Sequence, residues 1–295
     1  GVMCLPQYHP AVQAGQAAMF DHLSKGRFIM GVGPGGLLSD FELFGVMDKD
    51  RMEMMEEALE MMIKLWTTDP PYKMLGKHWT IDMKDWTQHD IKLGYVPKPF
   101  QDPHPPVAIS AMSPFSGSLK FAGRKGYIPV SANFVAPWSV ETHWPTYCEG
   151  AKESGTIPNP QNWRVARSIY VAETDKEAED FAKKAGGAYD YYYEYLYTIF
   201  DRSDFKAPFV ANRDDDPAKL KAEDIRDACV IYGSPETVAE KLLSFRDRVG
   251  DFGTILYAAH DWVDKAAMKH SIKLFAEEVM PRVNAKLDNN LASAG

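Results

Sequence analysis

Three serines, Ser113, Ser116 and Ser118, cluster just past a short apolar run, 105–110, where a helical pattern begins. A helix start offers unpaired backbone N–H groups and the positive end of the helix dipole, and hydroxyls add donors. The place suits an anion, a phosphate first of all. Plain capping by Ser113 is the alternative. Arg51 opens the helix after a glycine-rich loop; it either adds charge to such a guest or lies on the surface. The loop itself, GVGPGG at 31–36, lets backbone approach a ligand closely, with Gly33 at its centre. Pro34 breaks the G-x-G-x-x-G spacing, so a ligand-lining loop or a tight turn fits better than a dinucleotide fingerprint. His9 precedes Pro10 after the first apolar run, and His260, Asp261 and Trp262 follow the last. An imidazole there can move a proton near neutral pH or can simply be packed, and Asp261 can cap a helix. Six tyrosines between Tyr189 and Tyr197, Tyr193 among them, include some that wall a hydrophobic cavity and more that pack.

Other chemistries find no residues. There is no P-loop, no Ser-His-Asp order and no paired-carboxylate spacing. The eight His lack HExxH, and Cys4, Cys148 and Cys229 lack CxxC, so no metal is expected. Three unpaired thiols suit a reducing compartment, and a cytoplasmic location is the expectation. A net charge of −8 over 295 residues gives no general attraction to nucleic acid or anionic membrane. No apolar run reaches the roughly 18 residues of a membrane-spanning helix.

The elements that position these residues alternate. Helical patterns cover 11–24 and 50–66, and buried strand patterns cover 28–33, 105–110 and 127–132. A helix at 138–154, a strand at 164–172 and a long helix opened by Thr174 and Glu177 in capping-box style come next, the last running through the tyrosines. VIYG at 230–233, a helix from Ser234 to about Arg248, a strand at 253–259 and a helix to about Lys286 complete the chain, with 288–295 as a tail. The stretches 67–105 and 200–228 read as insertions. Such alternation means a parallel sheet with crossover helices, either open or closed as a (β/α)8 barrel. In a barrel, residues just past strand ends form the active face.

The stretch LPQYHPAVQAGQAAMFDHLSKGRFIMGVGPGGLLSDFELFG resembles the bacterial luciferase-like flavin monooxygenases. The similarity continues through the helix with Arg51, through PPVAISAMSPFSG and YGSPETVAEKL, and into FAEEVMPRV, spanning 1 to about 287 in the family's order. Its glycine-rich and serine turns are most similar to the limonene- and alkane-type branch. The resemblance implies an α/β chain with a luciferase-like (β/α)8 TIM barrel as one domain, 1–287, entering at the third family strand without the first two βα units. It implies reduced FMN and O2, a partner reductase, a small hydrophobic substrate and a homodimer. Ser113 and Ser116 would hold the FMN phosphate with help from Arg51. Ala111, Met112, Gly33 and Gly1-Val2 would lie along the flavin, His9 would be catalytic, and Tyr193, His260 and Trp262 would line the substrate pocket. True luciferases carry a reactive Cys and a phosphate-binding Arg at the positions of Gly33 and Pro34; here the phosphate rests more on the serines. A deazaflavin-dependent hydride-transfer enzyme and a non-catalytic flavin-binding or helper subunit are the competing readings.

Overall fold

The computed structural model describes residues 2–294, with side chains as far as Asp288. Gly1, expected beside the flavin with Val2, lies outside the described residues. The chain divides into two compact units, Gly1–Ser110 and Ala111–Gly295.

In the first unit β1 (Met3–Cys4), β2 (Met30–Gly33) and β5 (Val107–Ala111) pair in parallel, with Met3 opposite Val32 and Met30 opposite Val107. Between them lie α1 (Pro10–Ser24), α2 (Leu38–Leu43) and α3 (Arg51–Thr67). Asp50 caps α3 by accepting the Glu53 N–H at 3.0 Å. Met54, Met55, Leu59, Met61 and Met62 of α3 are buried, so the methionine stripe is core filling. The Trp66 indole donates to the Ala14 carbonyl at 3.2 Å and ties α3 to α1. The expected excursion contains the antiparallel hairpin of β3 (Lys73–Leu75) and β4 (Thr80–Asp82). Its turn is gripped by Glu57, whose carboxylate accepts the N–H groups of Lys77, His78 and Trp79 at 2.7–3.0 Å.

In the second unit α4 (Gly117–Lys125) leads to β6 (Ile128–Ser131), followed by α5 (Pro137–Glu141), α6 (His143–Ser154) and β7 (Arg164–Val171). Two of its helices meet backbone to backbone. A Cβ at Gly123 of α4 would fall 2.0 Å from the Tyr147 carbonyl oxygen, and one at Gly150 of α6 would fall 1.9 Å from that of Lys120. The expected long helix is two, α7 (Asp175–Ala182) and α8 (Ala188–Arg202). The Gly186-Gly187 pair breaks it, Gly186 sitting at φ +67°. The Thr174–Glu177 capping box forms as expected. Within the second insertion α9 (Ala222–Cys229) is helical, and β8 (Val230–Gly233), α10 (Pro235–Val249) and β9 (Thr254–Ala258) follow.

All strand pairs of this unit are parallel. β9 pairs with Arg164–Ser168 of β7, and β6 meets Arg164 and Val165. β8 pairs only with Ser168–Val171, so VIYG extends the far half of β7 rather than separating β7 from β9. α11 (Lys265–Leu274) passes through a π turn at Phe275–Val279 into α12 (Met280–Ala294). The wider turn accommodates Pro281, which lacks an N–H and crowds the carbonyl four residues back. The helix continues beyond Lys286 because no glycine or proline interrupts it before Gly295.

Candidate functional site

The strand-to-helix turn after β5 is held from below by α6. Thr142 Oγ1 accepts the Phe115 N–H at 2.8 Å, and His143 Nε2 lies 3.1 Å from the Ser113 carbonyl oxygen. Phe115 itself takes φ +51°. The other ring nitrogen of His143 is 2.8 Å from Ser131 Oγ, which also accepts the Trp163 indole N–H at 3.0 Å. Burial pushes the His143 pKa down to about 4, so the ring is neutral. A carbonyl only accepts, so Nε2 carries the proton and Ser131 donates to Nδ1. The chain Trp163, Ser131, His143, Ser113 is thus directed one way, from β6 and β7 to the turn.

The turn carries serine hydroxyls at the start of a helix, a chemistry that suits an anion. Leu119 and Lys120 donate to the Ser116 carbonyl, and Gly117 stands at the first position of α4, where a backbone N–H has no acceptor within the helix. Ser116 Oγ does not cap α4; it lies 2.8 Å from Ser118 Oγ, and a Cβ at Gly117 would meet nothing within 4 Å. Ser113 Oγ makes no hydrogen bond among the described residues. The Arg213 guanidinium stands 5.6 Å over the Phe115 ring and adds positive charge to this unit's turn. Ala111 is buried and Met112 half-buried on the strand leading in.

A second constellation lies at the C-terminal ends of β6, β7 and β9. Ser168 Oγ is 3.0 Å from His260 Nε2, 3.0 Å from the Tyr193 hydroxyl and 3.1 Å from Asn133 Nδ2. The His260 ring contacts Tyr192, Tyr189 and Trp262 at centroid distances of 4.5, 5.0 and 5.0 Å. Burial lowers the His260 pKa to about 4. The structure therefore gathers Tyr193, His260 and Trp262 in one place. Tyr193 is wholly buried, and the tyrosine rings against His260 are the half-buried Tyr192 and the buried Tyr189. Nothing in sequence separated Tyr192 from its neighbours, and Asn133 and Ser168 carried no signal.

On the other side of β7, Arg167 is wholly buried. Its Nη1 donates to the carbonyls of Val135 (2.7 Å) and Asn133 (3.4 Å), and its guanidinium covers the Phe245 ring at 4.3 Å. Nε and Nη2 have no hydrogen-bond partner among the described residues.

The remaining expected residues belong to the first unit. His9 caps α1: Nδ1 accepts the Ala11 N–H at 3.2 Å, and Nε2 donates to the Thr80 carbonyl at 3.2 Å. Both nitrogens are engaged. Arg51 donates to the Met47 carbonyl at 3.1 Å and stacks 3.9 Å over Phe41. Val2 is half-exposed, and its side chain lies where a Cβ on Gly33 would be, at 2.9 Å. No cluster of metal-ligating side chains occurs among the described residues.

Parallel β/α units ending in a hydroxyl-lined, amide-rich turn define a class of enzymes that hold phosphate-bearing cofactors on a strand-to-helix junction. The family model of luciferase-like monooxygenases matches residues 1–251, and this chain belongs to that family. It is 32% identical to 4-hydroxyprotoasukamycin monooxygenase of Streptomyces nodosus subsp. asukaensis, over 100% of this chain and 76% of that protein. It is 30% identical to 2,5-diketocamphane 1,2-monooxygenase 2 of Pseudomonas putida, over 95% and 78% of the two chains. The solved oxygenating constituent of 3,6-diketocamphane monooxygenase from Pseudomonas putida, in complex with FMN, is similar with a TM-score of 0.81 and 28% identity. That likeness covers 96% of this chain and 78% of the other. The fold is the luciferase-like α/β barrel that the sequence led us to expect.

Proposed function

We propose that the chain is a flavin-dependent monooxygenase that uses reduced FMN and O2 to oxygenate a small hydrophobic organic molecule. One observation supports this reading within the second unit: the turn that opens α4 presents the Ser113 hydroxyl and the uncapped Gly117 N–H, with open space where a Gly117 side chain would be. FMN ends in a phosphate, and the donor set matches a dianion. Bound flavin supplies the oxygen chemistry, which the residues here cannot perform. Ser113, Ser116 and the Gly117 N–H hold the phosphate, and Ala111 and Met112 lie along the strand that leads to it. His143 fixes the turn from behind. The aromatic wall of Tyr192, His260 and Trp262, backed by the buried Tyr193, offers apolar surface to a substrate and excludes water, which such chemistry requires.

The names of the relatives favour the same class: they are monooxygenases, and the solved one is an oxygenating constituent bound to FMN. A separate reductase then delivers the reduced flavin, and a homodimer is the expected assembly. The test is an anaerobic titration with reduced FMN, reduced riboflavin and a reduced deazaflavin, followed by admission of O2 with a hydrophobic substrate panel. Micromolar FMN binding and an oxygenated product are expected. No FMN binding, or tighter binding of the deazaflavin, overturns the reading.

A further inference from the structure

A phosphate monoester carries close to two negative charges near neutral pH, since its second pKa is about 6. Ser113, Ser116 and the Gly117 N–H offer hydrogen bonds but no charge. A dianion moved from water onto neutral donors is costly, and a nearby cation offsets that cost. Arg51 is spent inside the first unit, on the Met47 carbonyl and the Phe41 ring. Within the second unit a guanidinium stands at the turn itself. It is that of Arg213, 5.6 Å over the ring of Phe115, the residue before Ser116.

Arg213 comes from the insertion at 200–228, and the chain around it is anchored. Phe209 is buried and stacks on Phe200 at 3.7 Å. The Trp138 indole, on α5, donates to the Val210 carbonyl at 2.8 Å. Asn212 and Asp215 then close a tight turn. The Asn212 N–H and Nδ2 donate to the Asp215 carboxylate at 2.8 and 3.1 Å, and the Asp215 N–H donates to the Asn212 carbonyl at 3.1 Å. Arg213 lies at the tip of that turn. The charges of this loop are sorted. Asp214, Asp215 and Asp216 line a cavity with Val210 and Leu220 in which Arg213 takes no part. The Arg213 guanidinium has no ion pair or hydrogen bond among the described residues. Phe115 is its ledge. The Phe115 ring is 58% exposed, and its backbone is held at φ +51° by N–H donation to Thr142 Oγ1 at 2.8 Å. A guanidinium stacked on an aromatic face keeps its fork of N–H donors free, and that fork matches phosphate oxygens.

We propose that Arg213 is a phosphate-binding residue of this chain: its fork closes on the FMN phosphate from the side of the insertion, and Phe115 is the positioning residue that holds it ready. This rests on the monooxygenase reading above and deepens it by assigning the cation of that site. The neutral donors set the place of the phosphate. Arg213 supplies the charge, so the preference for FMN over riboflavin weakens with salt.

The test titrates the whole chain with FMN and with riboflavin at low and high salt, roughly 0.02 and 0.5 M. The native protein is compared with Arg213→Ala, Arg213→Lys, Phe115→Leu and Phe115→Tyr. Native FMN affinity should fall as salt rises, and riboflavin affinity should not. Arg213→Ala should bind FMN about tenfold more weakly at low salt, the worth of one charge-assisted hydrogen bond, and lose most of the salt dependence. It should bind riboflavin as before. Arg213→Lys, a point charge without the fork, should recover part of the loss. Phe115→Leu should weaken FMN severalfold, and Phe115→Tyr, which keeps the ring, should not. Three results overturn the proposal and leave the flavoenzyme reading standing: FMN binding unchanged in Arg213→Ala, equal loss of both flavins at an unchanged melting temperature, or native FMN affinity indifferent to salt. A native protein that binds neither flavin sinks both readings.

Discussion

His143 reaches across 30 residues to donate its Nε2 proton to the Ser113 carbonyl at 3.1 Å. The contact fixes one carbonyl of the turn and with it the backbone that leads into α4. Replacing His143 by Phe should weaken FMN binding about tenfold, the worth of one buried hydrogen bond, and leave riboflavin, which lacks the phosphate, nearly unaffected. Fluorescence titration with the two flavins separates this from general loss of structure, in which both affinities fall together.

The two buried histidines make stability depend on acid. Both fall to about 4 in the fold, against an ordinary 6.5. Between those values the unfolded chain binds protons that the folded chain refuses, so stability rises with pH there. It should be full above pH 6.5, decline as the pH falls toward 4 and level off below. The loss is on the order of a few kcal/mol for the pair. Urea midpoints across pH 4–7 measure it, and His143→Gln should flatten the curve.

The sequence revealed the elements better than their joints. The periodicity of α3, the buried run of β5 and the Ser113–Ser118 cluster were legible because each signal is local. The relay behind the turn was not: Ser131, His143 and Trp163 stand on three elements, and only packing brings them together. The tyrosine run hid the break at Gly186-Gly187. It also concealed which ring meets His260, because six tyrosines within nine positions cover every face of a helix.

The close approach of α4 and α6 is the firmest support of the turn. Gly150→Ala would place a methyl group 1.9 Å from the Lys120 carbonyl oxygen, and only a shift of one helix can relieve that. A loss of about 2–3 kcal/mol is expected, larger than most surface changes. Calorimetry should show it, with weaker FMN binding in the protein that remains folded.

His9 uses both ring nitrogens as a cap and a strap. His9→Ala should cost about 1 kcal/mol, and His9→Asn, which keeps a capping side chain, should recover most of it. Turnover that survives in both variants would assign His9 to structure. A fall in kcat at unchanged melting temperature would instead establish it as a catalytic group.

Arg167 has a reach beyond its own packing. Among the described residues no carboxylate lies against its buried guanidinium, which draws on the carbonyls of Asn133 and Val135 instead. Asn133 is the residue whose amide meets Ser168 on the opposite side of the same strand. Asn133 therefore joins the two sides of β7, and a substitution in the helical layer near Phe245 is expected to shift the amide that meets Ser168.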